Sequence, residues 1–270
     1  MTPENLPRVC AVSYLNTTPL VWGMVHGRQQ GLFELSFCLP SVCADRLANG
    51  DADLGIVPVV EAASQNLAIL PGTCIACHGA VRSILLISKK PFEQIETLSA
   101  DSSSRTSVQL ARVILAKTYG ANPTLEPHAP DLDSMLATAD AALIIGDPAL
   151  KIDPARLPYR TLDLGAEWWD LTRLPMVFAV WAGPAPLTRF RRSDFLDSYL
   201  QGALRIPEIA ANESASRGIT RELALHYLTQ NVVFELGARE QAGMKRLLEL
   251  VSALPASPLA QSALAGAIPV

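Results

Sequence analysis

The chain has 270 residues, of which 49% are hydrophobic and 18% charged, with 22 Lys+Arg against 26 Asp+Glu for a net charge of −4. That composition supports a sizeable core and excludes a disordered chain, and at about 150 residues per domain the length fits one large or two modest domains. The charge gives no basic surplus for nucleic acid, no apolar run reaches the roughly 18 residues of a membrane span, and Met1-Thr2-Pro3-Glu4-Asn5-Leu6-Pro7-Arg8 lacks the basic and apolar parts of a secretory signal. The expectation is a soluble, cytoplasmic α/β protein.

Taken in chain order, short apolar runs alternate with helical segments. Arg8 to Ser13 predicts a strand, Pro19 opens a helix, and Phe33 to Leu39 predicts a second strand. Ser41 is placed to cap a helix through Leu47 that Asn49-Gly50 ends, and Leu54 to Pro58 predicts a third strand. This β-α-β-α-β order favours parallel strands with right-handed crossovers. Val81 to Ser88 is a longer strand. The pattern then restarts, with strands at Thr97–Ala100, Thr124–Pro127, Ala141–Ile145 and Thr161–Leu164. Helices are predicted from Arg105 to Tyr119, after the cap Asp131, and near Trp168-Trp169. A strand at Met176–Trp181 precedes a mostly helical tail. Two successive α/β units are expected: lobe I from residues 1–88 plus 179–270, and lobe II from 89–178. The chain leaves one lobe, builds the other and returns, so a cleft should lie between them, where ligands of open α/β sheets bind beyond the carboxyl ends of strands.

Five cysteines, Cys10, Cys38, Cys43, Cys74 and Cys77, are an odd number in a chain without an export signal, which disfavours a disulfide framework. Cys10 and Cys38 sit in apolar strand-like runs and are expected in the core. Cys74-Ile75-Ala76-Cys77-His78 matches the CxxCH pattern, so haem attachment, a metal or redox pair, and small buried residues all stay open.

Four polar motifs fall at predicted strand ends. Ser13-Tyr14-Leu15-Asn16-Thr17-Thr18-Pro19 suits either a helix start or a pocket wall, and the Asn16 amide can both donate and accept. Asp101-Ser102-Ser103-Ser104-Arg105-Thr106-Ser107 holds more hydroxyls than a cap needs, and a helix N-terminus with added donors suits a carboxylate or small phosphate. Gly79-Ala80-Val81-Arg82-Ser83 opens the crossover strand, and Gly146-Asp147-Pro148 follows a strand as a turn or as a polar group facing the cleft. The four histidines, His26, His78, His128 and His226, have no metal-ligand spacing, and GxxxxGKS/T, GxGxxG and GxSxG are all missing. Apart from the question left open at Cys74 and Cys77, no metal site is expected. Any chemistry must use hydroxyls, an amide, an Asp and the ligand's own groups.

Ala11 to Thr17, Ala52 to Val59, Val81-Arg82-Ser83, Asp101 to Ser107, Ile144 to Leu150, Pro175 to Trp181 and Tyr227-Leu228-Thr229 together resemble the chorismate dehydratases of the futalosine route to menaquinone, in order along nearly the whole chain. The resemblance implies a two-lobed fold like type II periplasmic binding proteins. It implies loss of water from chorismate, a small dicarboxylate, to give 3-(1-carboxyvinyloxy)benzoate, without a cofactor. Carried over motif by motif, Asn16, Ser83 and Asp147 are the expected catalytic residues. Ser103, Ser104, Arg105, Thr106 and Ser107 would take one carboxylate, and Ser13, Val57 and Pro58 would form the facing wall. Two alternatives remain. One is the sister enzyme 1,4-dihydroxy-6-naphthoate synthase, expected to carry a His base where this chain reads Ile144-Ile145-Gly146-Asp147-Pro148. The other is a non-enzymatic binding protein for a small anion, which normally carries an export signal.

Overall fold

The computed structural model describes residues 6–101 and 103–255. The first five residues of the leader reading, Ser102 of the hydroxyl-rich motif and the end of the helical tail lie outside the described residues. In chain order the elements are β1 (Arg8–Val12), α1 (Thr18–His26), β2 (Glu34–Cys38), α2 (Pro40–Ala48), β3 (Leu54–Pro58), α3 (Val59–Ser64), β4 (Ala68–Cys77) and β5 (Ile84–Ser88). There follow β6 (Thr97–Asp101), α4 (Arg105–Ile114), β7 (Thr124–His128), α5 (Leu132–Thr138), β8 (Ala141–Ile145), α6 (Gly146–Leu150), β9 (Arg160–Asp163) and α7 (Leu164–Thr172). The chain closes with β10 (Met176–Gly183), α8 (Arg192–Ala203), α9 (Ile206–Glu213), α10 (Arg221–His226), β11 (Val233–Glu235) and α11 (Ala238–Ser252).

The strands form two mixed sheets, ordered β11-β4-β10-β3-β1-β2 and β7-β6-β8-β5-β9. As the β-α-β order predicts, β1 runs parallel to β2 and β3, and β6 parallel to β7 and β8. Returning strands add the antiparallel pairs β10–β3, β10–β4, β5–β8 and β5–β9. Leu54–Pro58, Ile84–Ser88 and Ala141–Ile145 are buried along their whole length, which is why they read as continuous apolar runs rather than alternating ones.

The lobe boundaries differ from the sequence expectation. Ile84–Ser88, expected in lobe I, pairs with β8 and β9 in the second sheet, and Met176–Phe178, expected in lobe II, lies in β10 of the first. The chain therefore crosses within residues 78–83 and 164–175. An apolar strand carries no mark of the sheet it joins, because only its long-range partner decides that.

Local end signals account for most helix limits. Asp131 accepts from the Ser134 amide at 2.9 Å and Ser104 accepts from that of Ser107 at 3.2 Å, each in an extended N-cap residue. The expected Ser41 cap is replaced: α2 begins at Pro40 after extended Leu39. The Ser41 amide instead donates to the Ser103 carbonyl of the second lobe at 3.1 Å.

At the start of β1, the Asp53 carboxylate accepts from the Arg8 amide at 2.8 Å and from its guanidinium at 2.8 Å. The hydrogen bond from Arg8 holds this carboxyl below the usual range, although burial opposes the shift. A depressed carboxyl contributes stability above its unfolded pKa of about 3.9 and loses it as pH falls through the folded value. The stability difference between wild type and Asp53→Asn should therefore be widest above about pH 5 and narrow progressively below about pH 4. Urea melts of both proteins across that range check it, and a gap independent of pH contradicts it.

Candidate functional site

A cleft whose envelope, with its solvent-open mouth included, is about 560 Å³ lies where the carboxyl ends of strands from both sheets meet. Val12, Asn16 and Thr17 follow or end β1, Pro40 follows β2, and Ile56 and Pro58 end β3. From the other lobe come Ser104, Thr106 and Ser107 after β6, and Ile145 and Gly146 at the end of β8. Val81, Ser83 and Ile84 enter on the crossover segment, and Ile75, Phe178 and Ala179 supply an apolar floor.

One polar chain is buried against this cleft. The Asn16 amide donates to Tyr227 Oη at 2.9 Å, and Tyr227 Oη donates to Ser83 Oγ at 2.9 Å. Burial pushes the Tyr227 phenol well above its ordinary value, so it stays protonated and keeps donating at neutral pH. Ser83 Oγ accepts in this chain, which leaves its own hydrogen for a ligand in the cleft, and Asn16 keeps its carbonyl oxygen as an acceptor. A second chain runs through Tyr14. Ser103 Oγ donates to Asp101 Oδ1 at 2.7 Å, so the 3.0 Å contact between Tyr14 Oη and Ser103 Oγ is a bond that the tyrosine donates. The Tyr14 phenol is pushed up to about 12 by burial, and burial likewise raises the Asp101 carboxyl.

The structure brings six of the expected site residues to the cleft wall: Asn16, Pro58, Ser83, Ser104, Thr106 and Ser107. Five others stand elsewhere. Ser13 is exposed, with its hydroxyl on the Cys38 carbonyl at 3.3 Å, and Val57 is buried in the sheet. Ser103 is spent on Asp101 and Tyr14. Arg105 was expected at the carboxylate but turns to the facing lobe, where it pairs with Glu61 at 2.9 Å and Asp45 at 2.8 Å. A guanidinium on the first helical turn is drawn to the nearest carboxylates, and α2 and α3 supply two. Asp147 accepts from the Leu15 amide at 3.0 Å and from Arg217. Arg217 also donates to the Ser13 carbonyl at 3.0 Å and to Glu213 at 2.5 Å.

Arg105 and Asp147 therefore join the lobes rather than line the cavity. The Asp147–Arg217 pair is mostly buried, with side-chain exposures of 14% and 19%, so it should matter more than the exposed Arg105 pairs. Arg217→Ala is expected to raise KM for the substrate about tenfold while lowering kcat less, as loss of closure energy does. Arg105→Ala should move KM only by about twofold to threefold. Steady-state kinetics decide it, and a kcat loss at unchanged KM in Arg217→Ala would place that residue in the chemistry instead.

Sequence reasoning missed the central role of Tyr227, 211 residues from Asn16, and that of Arg217. Arg82, with φ at 65°, points its guanidinium at the carbonyls of Ala149, Leu150 and Ile152 and so closes the end of α6. No Lys, Arg or His lies among the described residues lining the cleft. The CxxCH segment lies on and just after β4: Cys74 and Cys77 are fully buried core residues, whereas His78 is exposed and bonded to Glu240 at 2.6 Å.

Two α/β lobes with a cleft at facing strand ends define a periplasmic-binding-protein-like class. The periplasmic aliphatic sulphonate binding protein SsuA from Escherichia coli shares this fold at a TM-score of 0.63, with 15% identity over 93% of this chain and 87% of that one. Within that class the chain belongs to the menaquinone biosynthesis family, whose profile matches residues 7–253. Its curated relatives include the chorismate dehydratase of Thermus thermophilus, 29% identical over 94% of this chain and 96% of the relative, and that of Campylobacter jejuni, 24% identical over 90% and 96%.

Proposed function

We propose that this chain is a chorismate dehydratase, working in the cytoplasm on the futalosine route and without a cofactor. The observation that carries the proposal is the pairing of two donor arrays across one cleft: the start of α4 on one wall and the Asn16–Tyr227–Ser83 chain on the other. Chorismate has two carboxylates and one hydroxyl. A helix N-terminus flanked by hydroxyls suits one carboxylate even where no cationic side chain faces it. Donors there stabilise negative charge that spreads through the ring diene onto that carboxylate as the C3 proton leaves.

The elimination removes the C3 proton and the C4 hydroxyl. The C3–H electron pair enters the ring, the C4–O bond breaks, and the ring becomes aromatic, which drives the step downhill. With no His or Lys on the described wall, the substrate's enolpyruvyl carboxylate is the base within reach, and its proton and the departing hydroxide leave as water. Ser83, whose hydrogen is free of the Tyr227 bond, donates in this reading to the departing oxygen, and Asn16 holds that chain in register. Asp147 acts at one remove, by holding the lobes closed and water out.

The sister naphthoate synthase is disfavoured because none of the four histidines lies among the described cleft residues. Incubation of purified protein with chorismate, followed by mass spectrometry, tests the proposal. Conversion to a product lighter by one water supports it. Tight binding without conversion supports a solute-binding protein.

A further inference from the structure

Three cysteines that the sequence scatters over 34 positions meet at one point beneath α2. Cys10 lies in β1, Cys38 at the end of edge strand β2, and Cys43 in α2. Their sulfurs stand 2.9 Å (Cys10–Cys43), 3.1 Å (Cys10–Cys38) and 3.4 Å (Cys38–Cys43) apart, and all three are free thiols. Each contact is well beyond the about 2.05 Å of a disulfide bond. Cys10 and Cys43 are fully buried, while Cys38 is half-buried and opens the cluster towards solvent. Arg46, one turn after Cys43, sets its Nη1 3.8 Å from Cys10 Sγ and 2.7 Å from Ser36 Oγ.

We infer that Cys10, Cys38 and Cys43 are the ligands of one thiophilic metal ion, Zn(II) or Cu(I), bound outside the catalytic cleft. Three sulfurs from three elements converging on one point match what such an ion needs and what carboxylate-loving ions do not. A zinc–sulfur bond of about 2.3 Å at tetrahedral angles puts sulfurs about 3.8 Å apart, so the trio opens by less than about 1 Å to admit an ion. Three S–H bonds give way to three metal–sulfur bonds, and three protons pass to solvent. Three thiolates and Zn(II) carry one net negative charge, which the Arg46 guanidinium balances, and a water reaching past Cys38 completes the tetrahedron. Cu(I) is satisfied by the three sulfurs alone, with Arg46 offsetting half of the residual charge. The ion would brace α2, the helix whose Pro40 lines the cleft and whose Ser41 and Asp45 bond to the second lobe.

The test uses the full chain, reduced and stripped of metal under anaerobic conditions. Zn(II) and Cu(I) are titrated separately against a chromophoric chelator, and whichever ion binds is examined by X-ray absorption. The expected results are one ion per chain and a shell of three sulfurs. Cys38→Ser, at the half-buried position, should weaken binding by about a hundredfold or more, whereas Cys74→Ser should leave it unchanged. Failure of both ions to bind more tightly than they bind Cys38→Ser would overturn the inference. So would a shell with fewer than three sulfurs, or loss of binding in Cys74→Ser. The sulfur count is read on the wild-type protein, so it stands even if a variant misfolds.

Discussion

Ser83→Ala is expected to lower kcat for dehydration by about 10²–10³-fold, with KM changing less than about threefold. The hydroxyl receives a bond from Tyr227 at 2.9 Å, so its own proton is directed away from that partner and is available where the departing oxygen forms. Removing it deletes a donor that is needed most in the transition state, and such a loss appears in kcat rather than in ground-state binding. Asn16→Ala should show the same pattern somewhat more weakly, because it disturbs the chain two hydrogen bonds upstream of Ser83. Tyr227→Phe distinguishes positioning from mere packing. It keeps the ring but takes the partner from the half-buried Asn16 amide and the buried Ser83 hydroxyl, at a stability cost of about 1–3 kcal/mol and with a kcat loss smaller than that of Ser83→Ala. Near-native turnover in both Ser83→Ala and Asn16→Ala removes this chain from the mechanism.

Gly146→Ala should be the most damaging single-carbon change in the cleft. Gly146 has φ of 63°, where a side chain costs about 1–2 kcal/mol. The added Cβ would also lie 2.6–2.7 Å from three ring atoms of Tyr14, which must then leave its bond to Ser103. Together these predict a loss of about 2–4 kcal/mol, or roughly 4–16 °C in Tm for a chain of this size, with most activity lost as well. Gly31→Ala is the control: its φ is 78° but nothing lies within 4 Å of a Cβ there, so only the backbone cost remains. In the Tyr14→Ala/Gly146→Ala double variant the clash is gone, and the two stability losses should sum to more than the measured total. Equal melting temperatures for Gly146→Ala and Gly31→Ala would contradict the close approach.

What the sequence disclosed and what it withheld divide along sequence separation. Apolar runs such as Leu54–Pro58 and Ala141–Ile145, and caps such as Asp131, are local signals, and they give the elements almost to the residue. The hydroxyl-rich start of α4 and the Asn16 turn also declare themselves locally, and both reach the cleft. The errors concern partners. Arg105 and Asp147 sit in the right motifs, yet Asp45, Glu61 and Arg217 claim their charges across the lobes. Tyr227 is one apolar-looking position in a helical tail until the fold brings it beneath Asn16 and Ser83. The cysteine cluster is hidden in the same way: Cys38 and Cys43 stand as a C-x4-C pair, but their third member, Cys10, lies 28 positions upstream and joins them only when β1, β2 and α2 pack.

A crystal of Ser83→Ala soaked with chorismate most directly tests whether the cleft between the lobes is the reaction site. The account predicts intact chorismate between the lobes, one carboxylate within hydrogen-bond reach of Ser104, Thr106 or Ser107, and the C4 hydroxyl facing position 83. Chorismate bound outside the cleft, or inside it with both carboxylates turned away from the start of α4, would contradict it.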